Sequence, residues 1–414
     1  MIQERSLRAA ARATLFTSLI LTGFATSCST GHVRTTEPVE TDDGYPPIPA
    51  SPALSVDRSN LGMVVTGSAE ATEAGVRILE RGGNAIDAAV AAALTLGVSD
   101  CDASGIGGMT YMLIRFADGR VTAIDGTARA PLAVDRAALL EIEKAGQSGG
   151  YPLTAVPTTL ATLQTAVSKY GTMKMADLLQ PAIEVAESGY RLSPVQVVWS
   201  TIYYKRIMID DYFRHIVTRD GSTIDRPGTV YYQPDLADTL RRLADEGVDS
   251  FYRGDIAAEI EADMIANGGS IRATDLAVTR IREVDPLVST YRGREVITFP
   301  PPGGGAAVAR TLDILETYPS DFLADHSVER MQVMIEAARL GRADALKSDP
   351  PFAATGYLTP DQSKELARNR AQLITPGRAI PEELLTPDGD PRCTGGTGDS
   401  TTHVSVSDQF GNVV

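Results

Sequence analysis

The chain has 414 residues, of which 43% are hydrophobic and 22% charged, a composition typical of globular proteins with an ample core. The formal net charge of −15 argues against nucleic acid and anionic membrane surfaces as partners. The histidines are scattered, at His32, His215, His326 and His403, and no Cys/His cluster has zinc-site spacing. We therefore expect no metal site and no cofactor.

Residues 1–27 have the pattern of a targeting segment. Three basic residues, Arg5, Arg8 and Arg12, precede an apolar run from Leu15 to Phe24. This run is shorter than the roughly 20 residues that a helix needs to span a bilayer. The pattern predicts a signal peptide and an exported protein.

The residues after this segment suggest an anchor and a tether. Small residues precede Cys28, as in a bacterial lipobox, although Ala25 stands where Leu is usual. We expect a lipid on Cys28 and a periplasmic, membrane-anchored protein; ordinary signal cleavage nearby is the alternative. Residues 28–54 are rich in Thr, Pro, Ser and acidic residues, which predicts a disordered tether.

Two further cysteines, Cys101 and Cys393, are far apart in the sequence. An oxidising periplasm would permit a disulfide between them, which would fasten the loop ahead of residue 400. The alternative is two unrelated thiols, and sequence separation does not decide between them.

The first elements of the folded body alternate between strand and helix. Met63–Val65 reads as a short strand, after which Ser68 caps a helix over 70–79. Asn84 then begins an alanine-rich helix over 85–96, which suits close packing against a sheet or other helices.

A β-hairpin follows, with strands 111–116 and 120–125 around the turn Ala117-Asp118-Gly119. The glycines of 105–108 precede it and could suggest a phosphate-binding loop. No Gly-Lys-Ser/Thr follows them, so a tight strand entry is the simpler interpretation.

Helical periodicity dominates from there to residue 347. Gly189 ends one helix, residues 191–260 are mainly helical, and helices are predicted over 306–315 and 328–347. We expect the charges of the last of these helices to form surface and inter-helix pairs worth little each. Residues 376–400 show no periodicity and are predicted to form a mobile loop.

The last stretch, Gly398 to Asn412, carries the candidate chemistry. From Thr401 it alternates as a half-buried strand, with Val404 and Val406 on one face and polar residues on the other. An ordinary solvated strand is one interpretation. If the chain is cut between Ser400 and Thr401, however, the hydroxyl of Thr401 becomes a nucleophile whose own α-amine can accept its proton.

The pattern Thr-Thr-His-x-Ser-Val…Gly-Asn-x-Val from Thr401 resembles the start of the small-subunit signature of γ-glutamyltransferases, which are self-cleaving N-terminal-nucleophile hydrolases. The resemblance covers residues 60–414 and implies an α/β fold, a four-layer αββα sandwich that is incomplete here. It also implies a large-subunit region over 55–400, a small-subunit region beginning at 401–414, cleavage at Ser400–Thr401 and a heterodimer of the two subunits.

Asp125-Gly126-Thr127-Ala128-Arg129-Ala130-Pro131 stands where this family normally has Asp-x-Arg-Glu-x-Ala-Pro. The family arginine clamps the substrate α-carboxylate, and its position here is Thr127. Residues i and i+2 of an extended segment share a face, so Arg129 could reach the same pocket. The alternative is that Arg129 is a surface cation and that the clamp is lost.

The resemblance implies a γ-glutamyltransferase or glutathione hydrolase proenzyme. Thr401 would take a γ-glutamyl group from a glutathione-like donor as an ester and pass it to water, an amino acid or a peptide. Because the family signature continues beyond the last residue here, we expect the chain as written to be inactive. The alternatives are a related acylase or amidohydrolase with another acyl donor, and a non-catalytic envelope lipoprotein with the same scaffold.

Overall fold

The structure, a computed structural model, describes residues 62–144, 149–208, 214, 216–218, 220–347, 360–385 and 401–414. The expected signal peptide (1–27), the tether (28–54) and the lipidation site Cys28 lie outside the described residues, as do Cys393 and Ser400.

The described chain alternates between strands and helices throughout. The strands are β1 (Gly62–Val65), β2 (Thr110–Arg115), β3 (Val121–Gly126), β4 (Tyr190–Arg191), β5 (Val230–Tyr231), β6 (Arg282–Val284), β7 (Leu287–Tyr291), β8 (Arg294–Thr298) and β9 (Ser405–Asp408). The helices are α1 (Ala69–Glu80), α2 (Ala85–Ser99), α3 (Arg136–Lys144), α4 (Thr159–Tyr170), α5 (Met175–Ser188), α6 (Pro194–Ile202), α7 (Tyr204–Ile207), α8 (Pro234–Glu246), α9 (Asp249–Arg253), α10 (Asp255–Ala266), α11 (Ala273–Ala277), α12 (Gly305–Glu316), α13 (Ser320–Ala324), α14 (Val328–Lys347), α15 (Pro360–Ala371) and α16 (Glu382–Leu385). Among these, no helix is long and apolar enough to cross a membrane.

The central sheet is antiparallel wherever its neighbours pair directly. β1 pairs with β9, and β3 lies between β2 and β6. Val413 joins the two parts, because it bridges both Ser407 of β9 and Arg115 of β2. The order across the sheet is therefore β1, β9, Val413, β2, β3, β6, so the end of the chain lies in the middle of the sheet.

Helices cover one face of this sheet. Val64 and Val406 lie opposite each other and are buried in the main hydrophobic cluster, together with Met112 and Ile114 of β2. The opposite face is more open at the β1–β9 edge, where Met63 and Val65 are half exposed. The strand alternation predicted around Val404 and Val406 is thus confirmed, although regular pairing begins at Ser405 rather than at Thr401.

Helix α2 is the centre of the main hydrophobic cluster, and every residue in it except Ala93 is buried. Its small side chains let α1, α5 and β9 pack closely around it. Asn84 begins the helix as predicted, accepting hydrogen bonds from the backbone amides of Ile86 and Asp87, and Asp87 completes a capping box. The predicted helix 85–96 is confirmed and extends to Ser99.

A second hydrophobic cluster lies among α12, α14 and α15, and it corrects two expectations. The inter-helix pairing expected for the charges of α14 is confirmed for Asp344, which pairs with Arg370 of α15. The carboxylates of Glu336 and Asp344 are, however, buried rather than on the surface. The segment predicted as a loop from residue 376 contains the short helix α16, whose Leu385 packs into this cluster. One turn of helix is too short for periodicity to reveal.

The end of β3 has no room for a side chain at Gly126. A Cβ there would lie 2.0 Å from the hydroxyl oxygen of Thr162 and 2.4 Å from the backbone oxygen of Thr110. We expect Gly126→Ala to lower the free energy of unfolding by about 2 kcal/mol, because a backbone atom cannot move aside easily. Urea unfolding tests this, with Gly107→Ala as the control because nothing lies near its Cβ position. Equal stability of the two variants would contradict the packing.

Candidate active site

Thr401 lies at the start of the segment that leads into β9, and its side chain is exposed. Its hydroxyl oxygen is 3.5 Å from the backbone oxygen of Thr402, too long for a strong hydrogen bond. Strand alternation places Thr401 on the open face of the sheet, with His403 and Ser405. The His403 Nε2 and Ser405 Oγ atoms are 3.1 Å apart, so these two side chains partner each other.

Asp408 fastens β9 to the helix layer. Its buried carboxylate accepts hydrogen bonds from the backbone amide of Ala85 at 2.9 Å and from the Asn412 side chain at 2.8 Å. It also accepts from the amides of Phe410 and Asn412, both at 2.9 Å. Burial alone would raise the pKa of Asp408, but these donors outweigh it and hold the pKa below its ordinary value.

The neighbouring Thr402 points the other way, toward the loop between β1 and α1. A Cβ at Gly67 would lie 2.9 Å from the Thr402 hydroxyl oxygen and 2.9 Å from an Asp100 carboxylate oxygen. The side chains of Asp100 and Thr402 therefore both border the space beside Gly67. The sequence analysis missed Asp100, because no local pattern links the end of α2 to residue 402.

The structure places Thr127 beside an ion pair. Its backbone amide and hydroxyl donate to Asp125, at 2.9 and 2.5 Å. The other oxygen of Asp125 accepts from Arg282, which lies opposite it on β6. Burial raises the pKa of Asp125, but the Thr127 hydrogen bonds and the Arg282 guanidinium outweigh it and lower that pKa. Arg282 is a second site cation that sequence reasoning missed.

Arg129 lies two residues after Thr127 in the chain. Its backbone oxygen accepts a hydrogen bond from the amide of Val156 at 2.8 Å, which fixes the main chain there. The Arg129 side chain is exposed, and within the described ranges it forms no hydrogen bond or ion pair. Its guanidinium is therefore available to a ligand.

The sheet register relates these residues to Thr401. Thr110 pairs with Gly126, and Val413 pairs with both Ser407 and Arg115. The first residues of β9 and β2 and the last residues of β3 therefore lie at the same end of the sheet. Extending this register sets Thr127 level with Thr401 and on the same face. Thr127 and Thr401 thus lie toward the same end of the sheet, on either side of β2 and Val413.

Cys101 follows the C-terminal end of α2 and, among the described residues, forms no disulfide. Its sulfur is 3.4 Å from the Tyr190 hydroxyl oxygen. Burial raises the pKa of the Cys101 thiol to about 11, so the thiol stays protonated near neutral pH and is a poor nucleophile. Within the described residues, no group of three or more His, Cys, Asp or Glu side chains could hold a metal ion.

Comparison with known proteins gives consistent matches over almost all of the described body. A family model described as gamma-glutamyltranspeptidase matches residues 71–414. The glutathione hydrolase proenzyme of Pseudomonas sp. strain A14 is 35% identical over 362 residues, which cover 85% of this chain and 62% of that protein. The acylase ACY 1 proenzyme of Pseudomonas sp. strain V22 is 34% identical over 366 residues, covering 85% and 64%. The chain thus spans somewhat less than two thirds of the length of these relatives.

Solved structures show the same likeness. The gamma-glutamyltranspeptidase of Helicobacter pylori superposes with a TM-score of 0.71 at 30% identity, covering 80% of this chain and 96% of that chain. The cephalosporin acylase of Bacillus halodurans also gives 0.71, at 28% identity, covering 88% and 67%.

Proposed function

Because the chain belongs to the gamma-glutamyltranspeptidase family, we propose that it is the precursor of a γ-glutamyltransferase or glutathione hydrolase whose nucleophile is Thr401. The expected fold class, an α/β fold of the N-terminal-nucleophile hydrolase type, is confirmed by the structural matches. The observation that carries the proposal is the position of Thr401. Thr401 is exposed at the start of the segment that leads into β9, and β9 is held in place by Asp408 and by pairing with β1.

The first proposed step is self-cleavage. The Thr401 hydroxyl attacks the carbonyl carbon of Ser400, and the acyl group moves from the Thr401 nitrogen to its oxygen. Water then hydrolyses the ester, which leaves a Ser400 carboxylate and a free α-amine on Thr401. Exposure of Thr401 supports this step, because water must reach the ester.

The second step reuses the same hydroxyl. The new α-amine, with an ordinary pKa of about 7.7–8.0, accepts the hydroxyl proton as the oxygen attacks the donor carbonyl. The donor amine leaves with a proton, and an ester on Thr401 remains. Water or an amino acid then attacks that ester. The proposed donor is glutathione or a similar γ-glutamyl compound, which the names of the glutathione hydrolase relatives support.

We propose that Arg129 holds the donor α-carboxylate. Its guanidinium is exposed, and its main chain is fixed by Val156. Thr127 does not supply a charge there, and Arg282 already pairs with Asp125. Arg129 follows the end of β3, which lies toward the same end of the sheet as Thr401, so a donor held by its α-carboxylate there can extend toward the Thr401 hydroxyl.

A donor comparison, made in a version extended to the length of its relatives, tests this assignment. Arg129→Ala should lower kcat/KM for a γ-glutamyl anilide by about 30-fold, because a charged hydrogen bond to the α-carboxylate is lost. It should leave kcat/KM unchanged for a glutaryl anilide, which has no α-carboxylate. Arg282→Ala is the matched control and should affect both donors equally. If only Arg282→Ala loses kcat/KM selectively on the γ-glutamyl anilide, then Arg282 rather than Arg129 holds the α-carboxylate.

A related acylase is the second candidate function. The family arginine is replaced by Thr127, and acylase proenzymes are among the relatives. This candidate predicts that the unsubstituted enzyme prefers the glutaryl anilide strongly. Such a preference would contradict a carboxylate clamp and leave the Thr401 chemistry intact.

A further inference from the structure

Helix α6, Pro194–Ile202, buries two polar side chains and exposes most of its apolar ones. Gln196 and Ser200 face inward and are only 6% and 4% exposed. Val195, Val198 and Ile202 face outward and are 63%, 56% and 61% exposed. A helix on the surface of a globular protein normally buries its apolar stripe, so an apolar outer face is unusual.

Hydrogen bonds fix the helix in this orientation. The side-chain amide of Gln196 donates to the backbone oxygen of Ser99 at 2.9 Å, and its oxygen accepts from the amide of Ser193 at 2.9 Å. The Ser193 hydroxyl in turn accepts a hydrogen bond from the backbone amide of Gln196, which completes a capping box. Rotating the apolar face inward would break these buried contacts, so the exposed face is a stable feature.

Aromatic and basic residues adjoin this face. Trp199 is 43% exposed and stacks on Tyr203 with ring centroids 5.8 Å apart. Tyr204 and Lys205 follow and are exposed, and the Tyr204 hydroxyl donates to the backbone of Ser222. Asp220 lies in the same turn as Ser222, and its carboxylate accepts hydrogen bonds from the backbone amides of Ser222 and Thr223. Tryptophan and tyrosine beside aliphatic side chains are typical of helices at membrane interfaces.

We propose that the outer face of α6 lies in the interface of a lipid bilayer. The size of the face favours a bilayer over a second copy of the chain. An aromatic side chain offers roughly 150–250 Å² and an aliphatic one less, and these are about half exposed, so the face presents at most on the order of 500 Å². A stable protein–protein interface buries about 800 Å² per partner.

The sequence supports the same occupant. About 30 residues separate Cys28, the expected lipid site, from the start of β1. A lipid on Cys28 would attach the chain to a bilayer. One lipid chain gives marginal, reversible membrane binding, and stable anchoring takes a second signal. Helix α6 supplies that signal, whereas the sequence analysis expected membrane contact through the lipid alone.

The charge of the protein determines the form of the contact. With a net charge of −15, the body gains nothing from an anionic surface. Binding therefore comes from insertion of apolar side chains, and it should occur on zwitterionic vesicles and persist at high salt.

Trp199 is the only tryptophan in the chain, so its fluorescence reports on this helix alone. The test uses the Cys28→Ser protein, which carries no lipid, with vesicles of phosphatidylethanolamine and phosphatidylcholine. We expect the Trp199 emission to shift to shorter wavelength and brominated lipids to quench it. The double variant Val198→Asp/Ile202→Asp should weaken vesicle binding about tenfold or more, because two apolar side chains no longer insert into the bilayer. Val328→Asp, at an exposed valine elsewhere, should bind like the parent.

Three results would overturn the proposal. One is an unchanged Trp199 emission at saturating vesicle concentration in the Cys28→Ser protein. The second is equal binding by the double variant and by Val328→Asp. The third is a stable dimer in sedimentation that the double variant dissociates, which would assign the face to a second copy. The fluorescence test holds even if the double variant fails to fold.

Discussion

In a version extended to the length of its relatives, Thr401→Ala should leave the protein as a single uncleaved chain and lower amide hydrolysis by roughly 10⁴-fold or more, because one hydroxyl serves as nucleophile in both reactions. The side chain is exposed, so its loss should leave the fold unchanged. Gel electrophoresis over several hours measures cleavage, and release of an anilide chromophore measures hydrolysis.

Two matched variants separate chemistry from structure. Thr401→Ser keeps a hydroxyl at the same atom and should still cleave, more slowly. Ser407→Ala removes a hydroxyl further along the same strand face and should cleave and hydrolyse like the parent. Cleavage of Thr401→Ala at the parental rate would remove the basis of the proposed mechanism.

The second large effect concerns stability at Asp408. Asp408→Asn should lower the free energy of unfolding by about 2 kcal/mol, since it weakens hydrogen bonds to the first turn of α2 and to the turn after β9. Urea unfolding in the uncleavable Thr401→Ala background measures this. Asp118→Asn, at an exposed hairpin aspartate that accepts from the amide of Arg120, is the control and should change little.

The lowered pKa of Asp408 also sets a pH dependence. A carboxyl with a lower pKa in the folded state than in the unfolded state stabilises the fold above its unfolded pKa, about 3.9. That contribution is lost as the pH falls through the folded pKa. The parent should therefore lose its advantage over Asp408→Asn between pH 5 and the folded pKa of Asp408. A constant difference down to acid pH would contradict this account.

These contacts suggest how the protein keeps its shape after cleavage. β9 is held by β1 on one side and by Val413 on the other, and Asp408 ties it to the helix layer. None of these contacts involves Thr401. A cut before Thr401 would free its amine without releasing the strand that carries it, so the nucleophile would stay in position.

Local signals were sufficient where a feature depends on neighbouring residues. The cap at Ser68, the start of α2 at Asn84 and the hairpin at Asp118 were all predicted from short patterns and are confirmed. Each depends on backbone groups within a few residues, which composition and spacing reveal.

Features that join distant segments could not be predicted in this way. The pairing of Asp125 with Arg282 follows from the register of β3 and β6, and the approach of Asp100 to Thr402 follows from packing at Gly67. The orientation of helix α6 also depends on contacts with a distant segment. The sequence predicted a mainly helical stretch over 191–260, but only the contacts of Gln196 reveal which face of this helix points outward.

The most direct test of the central claim is the N-terminal sequence of the purified protein, read together with its intact mass. The account predicts a fragment that begins Thr-Thr-His at residue 401, absent from Thr401→Ala. A chain that remains whole in active preparations, or a new terminus at any other residue, would contradict it.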